Sequence, residues 1–326
     1  VASIDIIVPA YNEEAVLEAF YARLRPVIDA LGHHVRVLFV DDGSTDTTAR
    51  VIMQLADRDP RVGLLRFSRN FGHQAALTAG LDLADADAVI TMDADLQHPP
   101  EKLPEFVAAW EQGGELVSGV RERPANVSPF KRLSSAAFYR VINAISPVAV
   151  TADSPDFRLF DRKVVRAIRE LREQSRFLRG IYSWVGFEQR EVPYDEANRA
   201  GGSSHYTKRD MVFFALSAVL SFSRAPLRLA AYLGMVVAGL AFAFGIYALA
   251  MKLIFHQVIR GWTSLAVIVS FFSGVQLLTL GVLGEYLGQV LEETKRRPLY
   301  VVRETHLPAI DPAHGTAAQP PRHEVD

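Results

Sequence analysis

Between Leu229 and Met251 the chain runs for 23 residues without a charged side chain, and from Gly261 to Gly284 for another 24. As helices rising about 1.5 Å per residue, both runs are long enough to cross the roughly 30 Å hydrocarbon core of a bilayer. Buried helices of a water-soluble protein meet the same length criterion, but two adjacent uncharged runs of this size are rare there. The nine residues between them, Lys252 to Arg260, make a short connection. A helical hairpin over about 229–251 and 262–284 is therefore expected, with both flanks on one side of the membrane. Lys208, Arg209, Arg224 and Arg228 precede the first run, and Lys295, Arg296, Arg297 and Arg303 follow the second, against Lys252 and Arg260 in the connection. The positive-inside bias places both flanks in the cytoplasm, at the inner (plasma) membrane.

Ahead of the hairpin the chain reads differently. Over the first 120 residues, short apolar and β-branched runs (Ile4 to Val8, Val35 to Val40, Val62 to Phe67, Ala88 to Met92) alternate with segments of helical spacing such as Val16, Phe20, Leu24 and Ile28. Strands alternating with helices imply an α/β fold with a mostly parallel sheet. Ligands of such sheets bind at the carboxyl ends of the strands. Of the 326 residues 49% are hydrophobic and 22% charged, enough for a core, and none is Cys, which removes disulfides, thiolate metal sites and thiol nucleophiles together. The net charge of −2 excludes a nucleic-acid binder that works through bulk basicity. No basic-then-apolar segment opens the chain, so no cleaved signal peptide is expected.

The segments that follow the four expected strands are polar: Pro9-Ala10-Tyr11-Asn12-Glu13-Glu14, Asp41-Asp42-Gly43-Ser44-Thr45-Asp46, Ser68-Arg69-Asn70-Phe71-Gly72-His73 and Asp93-Ala94-Asp95-Leu96-Gln97. Each alone reads as a turn or helix start. All four at the ligand-binding edge point to one crevice. Asp93 and Asp95 can share a hard divalent cation, Mg²⁺ or Mn²⁺, which binds readily through one or two carboxylates plus substrate phosphates, and Gln97 adds an oxygen donor. Neither a Gly-x-x-x-x-Gly-Lys loop nor a Gly-x-Gly-x-x-Gly turn occurs, which disfavours P-loop and dinucleotide folds.

These segments together resemble the family-2 glycosyltransferases of GT-A fold, and within them the polyprenyl-phosphate glycosyltransferases: dolichol-phosphate mannose synthases and bactoprenol glucosyltransferases. Asp156-Phe157-Arg158-Leu159, Arg176-Phe177-Leu178-Arg179-Gly180, Trp184-Val185-Gly186-Phe187 and the stretch Arg199 to Tyr206 carry the resemblance to about residue 300. It implies that Pro9, Tyr11, Glu13 and one or both of Asp41 and Asp42 hold the nucleoside of a sugar nucleotide, and that Asp93, Asp95 and Gln97 bind the metal on its diphosphate. Two departures stand out. Relatives often have an acid where this chain has His98, and a Gly-x-Ser-Lys-Tyr loop where it reads Gly202-Ser203-Ser204-His205-Tyr206.

A lipid-phosphate acceptor would be an anion already, needing positioning by cations more than deprotonation. Candidates are Arg121 and Arg123, Lys131 and Arg132, Arg158 and Arg199, with Ser204 in the same loop as His205. Asp156 is the expected catalytic carboxylate beside Asp95, either as the base the resemblance implies or as the group that orients an acceptor-binding Arg; Asp153 is its neighbour and competitor. A single displacement would invert the anomeric centre.

The organisation expected is a cytoplasmic catalytic domain over 1–206, a juxtamembrane amphipathic segment over 207–228, the hairpin over 229–288, and a cytoplasmic tail over 289–326 that is disordered from His306. Phe130, Leu133, Ala137, Phe138, Val141, Ile142 and Ile145 make a helical stripe for the membrane interface or the sheet. The resemblance favours a UDP-sugar donor, glucose first, a polyprenyl (undecaprenyl or dolichyl) phosphate acceptor, and assembly as a homo-oligomer. GDP-mannose use is the alternative. A processive polysaccharide synthase and an inactive nucleotide-binding scaffold are the remaining readings.

Overall fold

The computed structural model describes residues 1–121, 156–174, 176, 178–195, 225–253 and 261–308. They fall into two compact units. One holds the described residues up to Asp195 and again from Pro298; the other holds the long helices up to Arg297.

The first unit is built on an eight-stranded sheet in the order β7-β5-β6-β4-β1-β2-β3-β8. In chain order the strands and helices are β1 Ser3–Ala10, α1 Leu17–Ala30, β2 His34–Asp41, α2 Thr48–Arg58, β3 Val62–Phe67, α3 His73–Leu83, β4 Ala88–Thr91, α4 Leu103–Glu111, β5 Leu116–Arg121, β6 Arg158–Asp161, α5 Arg162–Glu170, α6 Leu178–Trp184 and β7 Gln189–Tyr194. After α7 Ala225–Leu253 and α8 Trp262–Lys295 comes β8 Val302–His306. β1 pairs in parallel with β2 on one side and β4 on the other, β2 with β3, and β5 with β7, while β6 and β8 run antiparallel to their neighbours. The mostly parallel α/β expectation is met. Because β2 and β4 flank β1 on opposite sides, the chain's direction of winding reverses there, which opens a crevice beyond the carboxyl ends of these strands.

Local physics explains the centre of the sheet. β1 is buried along nearly its whole length, as a strand covered by helices on both faces must be, hence its unbroken apolar run from Ile6 to Val8. Phe20, Leu24 and Ile28 recur at helical spacing and bury one face of α1. α3 lies close on β1 because residue 80 is glycine; a Cβ there would sit 2.2 Å from Ile7 Cγ2.

The long helices take in the two uncharged runs, all but Gly261, and extend past Met251 and Gly284. Their large side chains are mostly exposed, Leu240, Phe242, Leu277 and Leu278 among them. A water-soluble protein would bury such surface, so burial inside a soluble core is not the reason these runs are apolar. Both helices contain stretches long and apolar enough to cross a membrane, Ala230–Tyr247 and Phe271–Lys295. α8 stops at Arg296, in the left-handed conformation (φ 49°).

One expectation needs correcting. His306 was expected in a structureless tail, yet it ends β8, which pairs with β3 at the sheet's edge. The sequence Val-Arg-Glu-Thr-His lacks an apolar alternation because this edge strand is exposed throughout. Tyr300 anchors the return: its ring stacks on Phe67 at 5.1 Å and its hydroxyl donates to Asp82 at 3.0 Å. Tyr300→Ala should therefore lower unfolding stability by about 3 kcal/mol, and Tyr300→Phe, which keeps the ring, by about 1 kcal/mol. Thermal or urea unfolding of the full chain in detergent reads this; an unshifted Tyr300→Ala midpoint would show that the return segment holds nothing.

Candidate active site

Four loops leave the carboxyl ends of β1, β2, β3 and β4, and hydrogen bonds from polar side chains to backbone tie the first three together. Asn12 N–H donates to Ser44 Oγ, Thr45 N–H to Asn12 Oδ1 and Glu13 N–H to Thr48 Oγ1, each at 2.9 Å. Gly43 has φ +68°, and a Cβ there would lie 2.3 Å from the carbonyl carbon of Arg69, so only glycine lets the second loop pass the third.

The two acids at the end of β2 do different work. Asp42 is a fastener: its carboxylate accepts the N–H of Phe71 at 2.7 Å and of Gly72 at 2.9 Å, while its own N–H donates to Ala10 O. Burial pushes the Asp42 carboxyl upward, against these two N–H groups that favour its charge. Asp41 is fully buried, accepts from Ser44 N–H at 2.9 Å, and has its other oxygen 3.0 Å from Arg66 Nε. Arg66 also meets Glu304 of β8 at 3.1 Å, so the returning strand touches the residue that faces Asp41. Pro9 is buried at the end of β1, Tyr11 is exposed and Glu13 half-buried on the loop after it.

The fourth loop carries the acidic pair. Asp95 Oδ1 accepts from Gln97 N–H at 3.0 Å, and Leu96 between them sits at φ 65°, a strained conformation for a branched side chain. His98 closes the loop. It is fully buried, stacked on Phe157 at 5.0 Å, and its Nδ1 accepts the N–H of Asp93 at 2.9 Å. Burial lowers its pKa, although Asp93 and Asp95 pull the other way, so it supports the loop as a neutral ring. Among the described residues no group of three or more His, Asp or Glu side chains forms a metal cage. The donor set nevertheless fits a hard cation: two carboxylates and the Gln97 amide offer oxygen only, an incomplete shell of the kind Mg²⁺ or Mn²⁺ completes with water and phosphate.

Beside this loop lies Asp156, only 3% exposed. Thr91 Oγ1 at the end of β4 donates to its carbonyl at 2.6 Å. Its carboxylate meets Arg179 Nη2 at 3.2 Å and His73 Nε2 at 3.4 Å, and His73 Nε2 is also 3.8 Å from Asp93 Oδ1. Despite its burial, the hydrogen bond from His73 and the charge of Arg179 hold the Asp156 carboxyl well below the usual range. Burial opposes charge on His73, but Asp156 and Asp93 outweigh it and raise its pKa.

The structure thus brings Asp93, Asp95, Gln97 and Asp156 to one edge with Asp41 and Asp42. The arginines expected to meet an acceptor divide. Arg121 ends β5, with Nε donating to Tyr194 Oη at 3.3 Å. Arg158 is 4% exposed, donates to Ser118 Oγ at 3.0 Å and lies over the Tyr182 ring. Lys131, Arg199 and Ser204, with Arg123, Arg132, Asp153, His205 and both amphipathic segments, lie outside the described residues. Sequence reasoning gave no role to His73, Arg179 or Arg66. The first two stand inside quoted motifs, which was the available signal; the pairing of Arg66 with β8 had none.

The chain matches the model of "Glycosyl transferase family 2" over residues 5–169. It is 42% identical over 302 residues to the glycosyltransferase YkcC of Bacillus subtilis, covering 93% of this chain and 94% of that protein. It is 39% identical over 303 residues to the SfII prophage-derived bactoprenol glucosyl transferase of Shigella flexneri, covering 93% and 98%. The prophage bactoprenol glucosyl transferase homolog of Escherichia coli is matched at 39% over 300 residues, 92% and 98%. These likenesses run through the acidic crevice and both long apolar helices: the chain belongs to glycosyl transferase family 2.

Proposed function

We propose that this protein moves one sugar from a nucleoside-diphosphate donor, UDP-glucose first, to a polyprenyl phosphate at the cytoplasmic face of the membrane. The observation that carries this reading is likeness to bactoprenol glucosyl transferases at 39% over 93% of the chain, a span that takes in both the acidic edge and the apolar helices. A lipid acceptor keeps its tail in the bilayer, which gives the helices a purpose. The chain leaves the first unit after β7 and re-enters it at Pro298, as two passes require if both ends lie on one side.

The chain's residues then divide the labour. Pro9, Tyr11, Glu13 and Asp41 line the strand ends that take the nucleoside, and Asp42 holds their loops in register. Asp93, Asp95 and Gln97 would hold Mg²⁺ or Mn²⁺, which supplies charge neutralisation for the departing diphosphate. Asp156 stands on the acceptor side. The acceptor's phosphate oxygen forms the new bond to the anomeric carbon as the bond to the diphosphate breaks, and the electron pair leaves with the nucleotide. An α-linked donor then yields a β-linked lipid product.

Asp95→Asn keeps the oxygen that Gln97 N–H needs and removes the charge. It should leave the melting temperature in place and cut turnover about a hundredfold or more, since a cation clamp is worth several kcal/mol in the transition state. Radiolabelled UDP-glucose, a short polyprenyl phosphate and a chelator arm read this: a single-sugar lipid that EDTA abolishes and Mn²⁺ restores is expected. Polymer would favour a processive synthase, and nucleotide binding without turnover a scaffold.

The absence of native Cys makes topology directly measurable. Gln257→Cys, in the connection between the apolar helices, should react with an impermeant maleimide on intact cells, and Glu105→Cys only after lysis. The same label on both from outside would contradict a hairpin with its catalytic unit in the cytoplasm.

A further inference from the structure

We propose that Arg179 receives the phosphate of the lipid acceptor and that Asp156 is its positioning residue, aiming it in concert with His73. This rests on the acceptor being a polyprenyl phosphate, as proposed above. The geometry is a line of groups at the crevice edge. The Arg179 guanidinium faces the Asp156 carboxylate with two nitrogens, Nε at 3.5 Å and Nη2 at 3.2 Å. The same carboxylate oxygen that meets Nη2 is 3.4 Å from His73 Nε2, and that nitrogen lies 3.8 Å from Asp93 Oδ1. Going outward from the acidic loop, the order is Asp93, His73, Asp156, Arg179.

That order suits a displacement between two anions. The donor's diphosphate belongs with Asp93 and Asp95, and the attacking phosphate must approach from elsewhere, over a cation. Arg179 has its side chain 40% exposed, whereas Asp156 beneath it is 3% exposed. A two-nitrogen contact with a carboxylate fixes the plane of a guanidinium, and Arg is suited to planar recognition of phosphate. The other described arginines of this edge are less suited. Arg158 is buried against Ser118, Arg66 lies between Asp41 and Glu304, Arg69 lies over the Phe71 ring at 4.0 Å, and Arg121 is turned to Tyr194, with Nε donating to its Oη at 3.3 Å.

The chemistry removes the need for a base. A phosphomonoester with a second pKa of about 6 is largely a dianion at neutral pH. Its oxygen attacks the anomeric carbon, the bond to the diphosphate breaks, the electron pair leaves on the nucleotide, and no proton has to be taken up. A buried carboxylate already paired with Arg179 and His73 has little to do as a proton acceptor, but it can hold a cation in place.

The test is steady-state kinetics of the full-length protein in nanodiscs with UDP-glucose, Mn²⁺ and a short-chain polyprenyl phosphate. Arg179→Ala should raise the acceptor KM about tenfold or more, the loss expected for one charge-assisted contact, while the donor KM stays within about twofold. Arg179→Lys, which keeps the charge and loses the fork, should lie between, and it keeps the test decisive if the alanine variant folds poorly. Asp156→Asn should also raise the acceptor KM, with most of kcat recovered at saturating acceptor and the shape of the pH profile kept. A kcat loss of about a thousandfold at saturating acceptor, or loss of one limb of the pH profile, would make Asp156 the base and overturn the proposal. So would an unchanged acceptor KM in both Arg179 variants. Wild-type protein that ignores polyprenyl phosphate but glycosylates another acceptor would overturn the function reading and this proposal with it; wild-type transfer with indifferent Arg179 variants would overturn this proposal alone.

Discussion

Negative charge crowded at one edge of the sheet is the constraint that the rest of this structure answers. Asp41, Asp42, Asp95 and Asp156 are all buried there, and Asp93 stands beside them half-exposed. A buried carboxylate is costly unless hydrogen-bonded or paired. Asp42 is satisfied by two backbone N–H groups, Asp41 accepts from Ser44 and is ion-paired with Arg66, and Asp156 is paired with Arg179 and His73. The acidic loop adds Asp93 beside Asp95, and a diphosphate arriving there would add further negative charge. On the proposed function, a divalent cation and an arginine on the acceptor side would let this edge bring two phosphate-bearing substrates together.

The same satisfaction of charges builds the crevice. The polar residues that hold the acids are backbone and side-chain groups of neighbouring loops, so each pairing also joins two loops. Asp42 joins the loops after β1, β2 and β3, and His98 fastens Asp93 to the layer formed by Phe157 and Tyr194. The strand that follows the apolar helices takes part as well, through Glu304 on Arg66 and Tyr300 on Phe67 and Asp82. The segment beyond the membrane-length helices is therefore structural support for the unit that carries the sheet.

What could be read from the sequence follows from the range of each interaction. Local periodicity located β1 to β4 and α1, because strand alternation and helical spacing are properties of a few consecutive residues. The convergence of four polar loops followed from the rule for parallel sheets, and the hairpin from length and charge alone. Pairings across long separations had no local mark: Asp42 with Gly72, His73 with Asp156, and Arg66 with Glu304, 238 residues apart. β8 escaped notice because an exposed edge strand has no need of an apolar face.

On the proposed function, a divalent cation held by Asp93 and Asp95 would couple the nucleotide diphosphate to the acidic edge. Isothermal titration of UDP into the detergent-solubilised full chain tests it without any acceptor. UDP should bind at least about tenfold more tightly with Mn²⁺ than with EDTA, and Asp95→Asn should erase the difference. Equal affinity in Mn²⁺ and EDTA, or an Asp95→Asn variant that keeps the full metal effect, would contradict the account.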